Sequence, residues 1–414
     1  MITKGMIVKS DSGRRIRVDG LIKAGGQGEV YWATEMNSGQ KGVLKIFHKR
    51  FATSETVQRI RFLVNQDLSS RCSVLCAPTD VLNKPDMVGH YSPIALGQPL
   101  EEFLINPDFT FMEALQLSLT LAHAIDAIHQ RQIAHGDLHA ENLIVNRVSS
   151  VLQLHIIDLD NFNAPGVPSP PMVGQNLYIA PELRQALANN QPAIPGLYTD
   201  RFAIGVLMHE IILLRHVAAG ADANENDFQK AMCSGRWLHD PAAPDRPGAE
   251  SGGYPVEILN ADLSRLFRSA VSLDPVSRPS PKTWVMEITK AMNSVFCCPT
   301  CGAPCIVDVS KVRCPLCRKP FPSLTVVVGP TGKLLPLTDG TTVVGRQELG
   351  GSTRVSALHA IFRRNGPETW IESQGKNGTC RWSKLGWVKL PDKKPVLVQH
   401  GDRLQMGDVE VHLN

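Results

Sequence analysis

The chain has 414 residues, which at roughly 150 per domain allows two or three domains and a large buried core; a peptide or a disulfide-stapled miniprotein is excluded. At 43% hydrophobic and 20% charged residues, the composition is that of globular domains, not of disordered or fibrous chains. Lys plus Arg number 43 against 39 Asp plus Glu, a net charge of +4, too small for a general nucleic-acid or membrane-surface protein. The excess lies in the tail, where residues 321–414 carry 12 basic and 8 acidic side chains, so an anionic partner is expected there.

Three textures follow one another along the chain. Residues 15–295 open with strand-like segments around Val30 and over Val43 to Phe47. They then turn mostly helical, with helical periodicity over Ala114 to His129 and Phe202 to Leu214; this predicts a mixed α+β body. Pro- and Gly-rich stretches, Ala164 to Pro171 and Asp240 to Tyr254, read as loops inside it. Phe202 to Leu214 is the longest apolar run, but His209 and Glu210 break it and it falls short of the roughly 20 residues that span a bilayer. Met1 to Arg15 has no apolar stretch ahead of a small-residue cleavage site. No membrane span and a cytoplasmic location are expected. Six of the ten cysteines crowd into residues 296–322, a stretch too short for a core of its own, where clustering in a reducing compartment points to metal rather than disulfides. Residues 323–414 alternate turn residues with short β-rich runs, Leu324 to Val328, Thr341 to Val344, Ala360 to Arg363, Thr369 to Ile371, Val396 to Val398 and Val409 to Leu413, which predicts a small β-sandwich.

In the first region, Gly25, Gly26 and Gly28 precede Val30 and a β-like run, and glycines there let backbone N–H groups approach phosphates. Lys45 is a lone charge inside the apolar strand V-L-K-I-F; a buried Lys needs an anion, and an ATP phosphate is one. H-G-D-L-H-A-E-N, His135 to Asn142, and I-I-D-L-D, Ile156 to Asp160, then supply a carboxylate to take a hydroxyl proton (Asp137), an amide for Mg2+ (Asn142) and a second carboxylate for Mg2+ (Asp158). In order and spacing these segments resemble the eukaryotic-type (Hanks-type) protein kinases, as they occur in bacterial Ser/Thr kinases. The resemblance extends to Y-I-A-P-E at Ala180 to Glu182, to the helix Thr199 to Glu210 whose Asp200 would brace the catalytic loop, and to Arg278, which would pair with Glu182. It implies a bilobal α+β kinase-like fold, ATP and Mg2+ as cofactors, and protein substrates.

Several positions depart from the family pattern. Lys23 replaces the first loop glycine, Gly136 replaces the Arg before the catalytic Asp, and Asp160 replaces the Gly of D-F-G, adding charge beside the metal. His139 stands where a Lys is common and is expected to contact the transferring phosphate. No carboxylate sits at the family's helix position to pair with Lys45; Glu55 and Asp67 are nearest, at poorly matching offsets. Between Asp158 and Glu182 only Ser169 and Tyr178 carry hydroxyls, so activation by loop phosphorylation is not expected. The alternatives are an inactive pseudokinase scaffold and, because H-G-D-L-H also resembles aminoglycoside and choline phosphotransferases, a small-molecule kinase.

C-P-T-C-G and C-P-L-C-R form two C-x2-C knuckles, Cys298 with Cys301 and Cys314 with Cys317, whose four thiolates can surround one tetrahedral Zn2+. The pattern resembles a zinc ribbon; Cys297 and Cys305 are spare. In the tail, G-R at Gly345 and Arg346, S-A-L-H at Ser356 to His359, K-N-G-T at Lys376 to Thr379 and H-G-D-R-L-Q-M-G at His400 to Gly407 resemble the forkhead-associated (FHA) domain. The resemblance implies that Arg346 and Ser356 bind phosphothreonine, that Asn377 holds peptide backbone, that His359 is structural, and that Lys376 contributes charge where relatives have a hydroxyl. Gly345, Gly378 and Gly407 read as turn-formers. The expected chain is thus a kinase-like domain (15–295), a small four-cysteine zinc ribbon (296–322) and an all-β FHA sandwich (323–414). Its FHA module would read phosphothreonine on partners or on the chain itself. Involvement of a cognate phosphatase is left open, and neither nucleic acid nor membrane is an expected partner.

Overall fold

A computed structural model describes residues 2–170, 174–221, 225–243, 253–292, 295–298, 300–306, 313–319, 325–328, 333–337, 340–365 and 368–413. Its backbone divides into two units, Met1–Tyr254 with Arg265–Val285, and Pro255–Ser264 with Met286–Asn414.

The first unit opens with a six-stranded antiparallel sheet built from β1 (Ile7–Lys9), β2 (Arg15–Ala24), β3 (Gly28–Glu35), β4 (Lys41–Phe47), β5 (Asp80–Lys84) and β6 (Met87–Pro93), in the order β1-β2-β3-β4-β6-β5. Alternation buries Ile16 and Val18 of β2, Tyr31 and Ala33 of β3 and Leu44 of β4 on one face. Helix α1 (Ser54–Gln66) starts where the Thr53 hydroxyl accepts from the Thr56 N–H. Its Val57 and Ile60 pack with Phe47, Val81 and Val88. Sequence patterning exposes only β3 and β4 clearly, because β1 and β5 are short and β2 is exposed along its second half.

The remainder of this unit is helical. Phe111–His129 begins with a reciprocal Thr110–Glu113 capping box. Leu197–Leu213 buries residues on every face, Phe202, Ile204, Leu207, Met208 and Ile211 among them, which marks a core helix; each such side chain contributes about 1.5–3 kcal/mol of burial. That burial explains an apolar run with no membrane role, and among the described residues no helix is long and apolar enough to cross a bilayer. The hairpin Leu143–Val148 with Val151–Ile156 carries the catalytic-loop sequence on one side and the D-L-D segment on the other.

In the second unit Val295–Cys297 pairs with Pro304–Ile306, next to the two cysteine knuckles. A six-stranded sheet runs, in spatial order, Lys333–Pro336, Thr325–Val328, Val409–Leu413, Arg403–Met406, Thr379–Ser383, Gly386–Lys389. A four-stranded sheet runs Gly340–Val344, Ala360–Asn365, Glu368–Ser373, Pro395–Val398. Both supply one core, Phe362 and Ile371 from the smaller sheet and Leu404, Met406 and Val411 from the larger. Four of these strands carry no clear period in the sequence: Lys333–Pro336, Thr379–Ser383, Gly386–Lys389 and Arg403–Met406. Leu324, parts of the loop expected over Asp240 to Tyr254 and parts of residues 296–322 lie outside the described residues.

Candidate active site

A cavity of about 380 Å³ opens beneath β3 and β4, lined by apolar Val30, Val43, Ile144 and Ile157 and by the charged Lys45 and Asp158. The glycine turn joins β2, whose Ile22 lines the cavity, to Val30 of β3. Gly28 has a steric reason for its identity: a Cβ there would meet the Ile46 carbonyl at 2.2 Å. Gly26 has open space around it. His48 Nε2 and the Arg50 guanidinium bond the carbonyls of Gly25 and Gly26, each at 2.9 Å, which ties the turn to the end of β4. Lys23, in β2, also lines the cavity.

Lys45 is buried and meets two carboxylates, Asp160 at 2.7 Å and Asp158 at 3.6 Å. Burial alone would lower its pKa, but Asp160, then Asp158, holds it above the usual lysine value. For Asp160 burial works against the charged form and the Lys45 ammonium outweighs it, so its pKa lies below the usual carboxylate range. The partner of Lys45 that no helix offset supplied is therefore Asp160. Glu55 stands in the exposed first turn of α1 and Asp67 at its C-terminal cap. The buried charge on α1 is Arg59, whose pKa burial lowers to about 10. It donates to the carbonyls of Asp160 and, at 3.0 Å, Pro168. Next to Lys45 on the sheet, His90 is driven down to about 4 by burial and bonds Ser92 Oγ at 2.9 Å.

The catalytic-loop sequence is held from below. One carboxylate, Asp200, accepts from the His135 N–H at 2.7 Å and the Gly136 N–H at 3.0 Å, and lies 3.0 Å from His129 Nε2, as its position in the resemblance implied. Gly136 has φ +80°, and a Cβ would meet the Asn161 carbonyl at 2.6 Å, so the backbone path itself excludes Arg here. Asn142 donates to the Asp137 carbonyl at 2.9 Å. Asn161, which the sequence did not single out, donates to Asp137 Oδ2 at 3.1 Å and accepts from Gln27 of the glycine turn at 2.9 Å. His139 is buried rather than an exposed loop residue; its Nε2 lies 3.6 Å from Asp137 Oδ1, and burial lowers its pKa. Arg278 grips Glu182 with two 2.7 Å bonds. Tyr178 is buried and donates to Glu210 at 2.8 Å, which withdraws one of the segment's two hydroxyls from modification.

The knuckles are near-copies of each other. The N–H groups of Gly302 and Arg318 bond the carbonyls of Cys298 and Cys314, at 2.8 and 3.0 Å, with both donors at positive φ, +71° and +62°. Cys298 and Cys317 thiols are 3.7 Å apart, as are those of Cys301 and Cys314, and all four sulfurs lie within 4.8 Å of one another. Bonds of about 2.3 Å to a tetrahedral Zn2+ put sulfurs about 3.8 Å apart, so the thiols fit that ion. Cys298 rather than exposed Cys297 belongs to the set, and among the described residues no cysteine forms a disulfide.

In the β unit, three loops meet around His359, which is fully buried and bonds the Ser356 N–H at 3.2 Å and the Gly378 carbonyl at 2.9 Å. Ser356 Oγ accepts from the Lys376 N–H at 3.1 Å, Asn377 donates to the Arg354 carbonyl at 2.6 Å, and Arg346 Nε donates to the Val355 carbonyl at 2.9 Å. Arg346, Ser356, Lys376 and Asn377 thus share one rim. Gly378 and Gly407 have positive φ. Gly345 does not, and its role is close approach: a Cβ would meet the Ala357 carbonyl at 1.8 Å.

Comparison with known proteins places this geometry. The family model described as protein kinase domain matches residues 17–296. A putative serine/threonine-protein kinase of Acanthamoeba polyphaga mimivirus is 22% identical over 67% of this chain and 92% of its own length. The serine/threonine-protein kinase PknD of Chlamydia abortus is 25% identical over 62% of this chain and 29% of its own, and putative serine/threonine-protein kinase B of Trypanosoma brucei brucei is 22% identical over 66% and 68%. With the family model covering most of the chain and serine/threonine kinases as its relatives, the chain belongs to the protein kinase family as a serine/threonine protein kinase.

Proposed function

We propose that the chain is catalytically active and phosphorylates Ser or Thr of proteins by direct transfer from ATP. The observation that carries this is that Lys45 and Asp158 line the cleft, while Asp137, fixed by Asn142 and Asn161, lies close enough for its charge to act on Lys45. The cleft fits a nucleotide in size and in its apolar walls. Asn142 and Asp158 would hold Mg2+, and Lys45 with the backbone of the turn Gly25, Gly26 and Gly28 would hold ATP phosphates, with Val30 against the base; the Gly25 N–H itself is taken by the Gly28 carbonyl at 2.8 Å. Bound Mg2+ and ATP supply the phosphoryl group and the countercharge for its transfer. Asp137 orients the substrate hydroxyl and takes its proton, and His139, beside Asp137, lies where it can contact the phosphate. The ends of the segment are held, Asp160 and Pro168 by Arg59 and Glu182 by Arg278, and in this reading activity needs no activating phosphorylation.

The second unit is read as a zinc ribbon and an FHA module. The thiol spacing supports zinc, and the shared rim of Arg346, Ser356, Lys376 and Asn377 supports phosphothreonine recognition on a partner or on the chain itself. Such a module raises the local concentration of substrate. A cytoplasmic place of action is part of this reading, since the four clustered cysteines would serve as metal thiolates there.

The test is transfer from γ-labelled ATP with Mg2+, comparing wild type with Asp137→Ala. Label on Ser or Thr, falling by about 10²–10⁴-fold in the variant, is expected. ATP binding without transfer to protein would favour a small-molecule kinase, and neither binding nor transfer a scaffold.

A further inference from the structure

We propose that Asp160 is the positioning carboxylate of Lys45, so that the group orienting the phosphate-binding lysine is carried by the D-L-D segment and not by helix α1. The inference rests on the nucleotide-binding reading of the cleft above.

The observations converge from both sides of the pair. Asp160 is the nearer of the two carboxylates, 2.7 against 3.6 Å from Nζ. Its side chain is only 2% exposed, whereas that of Asp158 is 31% exposed toward the cleft. A carboxylate shut away from the cleft is poorly placed to serve a metal there, which corrects the expectation that Asp160 adds charge beside the metal; the exposed Asp158 is well placed. On the other side, α1 buries Val57, Arg59, Ile60 and Leu63, and the charged member of that set is a cation. A buried cation on the helix and a buried anion on the segment are the reverse of a helix acid paired with a strand lysine.

Arg59 completes the exchange. Its guanidinium holds the Asp160 and Pro168 carbonyls and lies 5.0 Å over the Phe162 ring. It fixes the backbone on which Asp160 rides, while the Asp160 side chain is left for Lys45. Lys45 thereby faces two carboxylates, and buried Arg59 is held by two backbone carbonyls and an aromatic face, so neither cation is left without partners in low dielectric, where the cost is high. The consequence is an altered linkage: the polar connection from α1 to Lys45 runs through the segment, by way of Arg59.

The experiment is a double-mutant cycle in the full chain between Asp160→Asn and Lys45→Met, with Asp160→Glu as the charge-preserving variant. Binding of a fluorescent ATP analogue is titrated in EDTA and again with Mg2+, and ATP kcat and KM are measured beside it. With Lys45 present, Asp160→Asn is expected to lower kcat/KM by about tenfold or more and to change the analogue's affinity in EDTA. In the Lys45→Met background it should change neither. Asp160→Glu should keep more activity than Asp160→Asn, and the Mg2+ concentration for half-maximal rate should not move. An undiminished effect of Asp160→Asn without Lys45, an affinity effect seen only with Mg2+, or equal loss in the Glu and Asn variants would overturn the proposal. The binding cycle in EDTA is read without turnover, so loss of the kinase reading in the Asp137→Ala assay and loss of this inference are separate results.

Discussion

The cleft of the first unit and the loop rim of the second fix functional groups by opposite means. In the cleft the groups are buried or half-buried and are held from segments far apart in sequence: Asp137 by Asn161, the loop backbone by Asp200, Lys45 by Asp160. On the rim Arg346, Lys376 and Asn377 are exposed, and the buried residue is the support, His359. The cysteine knuckles are an extreme of the second kind, two short turns whose common centre, among the described residues, is four sulfurs. Groups that must act on reacting atoms are preorganised by a large core, whereas groups that greet a partner sit on short loops braced at one point.

Metal removal attacks that contrast where the effect should be largest. One zinc per chain is expected by elemental analysis, and Cys314→Ser should lose it. Structural zinc contributes apparent folding free energies of about 10–16 kcal/mol in small modules. Hydrogen exchange across 298–302 and 314–319 should therefore accelerate by orders of magnitude in the variant. Full occupancy with only three thiols, or slow exchange without metal, would show that the knuckles have another source of order.

The same contrast governs what the sequence made legible. H-G-D-L-H-A-E-N, the C-x2-C pairs and the G-R, S-A-L-H and K-N-G-T segments were readable because their chemistry demands fixed residue types at fixed local spacing. Asp200 and Arg278 came with the family pattern. The partner of Lys45 did not, because it lies more than a hundred positions away and off the helix where the pattern puts it. A signal did exist: α1 has no acid on its buried face, its Glu55 standing in the exposed first turn, the D-L-D turn has one too many, and Arg59 stands as a lone charge on that apolar face. Reading these as one displaced charge required the fold. The short strands of the second unit were hidden for a different reason, since segments such as Arg403–Met406 have too few residues for a period to emerge.

On the rim, Arg346→Ala sharpens the comparison at intermediate strength. Its guanidinium is exposed and makes one bond to the Val355 carbonyl, so the melting temperature should be nearly unchanged. Binding of a phosphothreonine peptide, followed by fluorescence titration, should fall by about tenfold or more, since charge-assisted bonds to phosphate are among the strong ones. Undiminished binding would remove Arg346 from the proposed site, and a large drop in melting temperature would show it to be a brace of the cleft kind.

The smallest expected effect lies under the first unit's segment, where a buried acid is held for structure. Burial, with Glu101 adding to it against the Tyr178 hydrogen bond, pushes the Glu210 carboxyl up to about 7 from an ordinary 4.5. The folded chain therefore binds more protons than the unfolded one between those values, and this group's contribution to stability is present below about pH 4.5 and is lost as pH rises through 7. Glu210→Gln keeps an acceptor for the Tyr178 hydroxyl and removes the titration. Thermal melts should match wild type near pH 5 and exceed it by a few degrees at pH 8. The cleft depends on buried groups being neutral or paired; identical melting curves for the two proteins from pH 5 to 8 would mean that this acid is solvated and that burial beneath the segment is looser than its contacts imply.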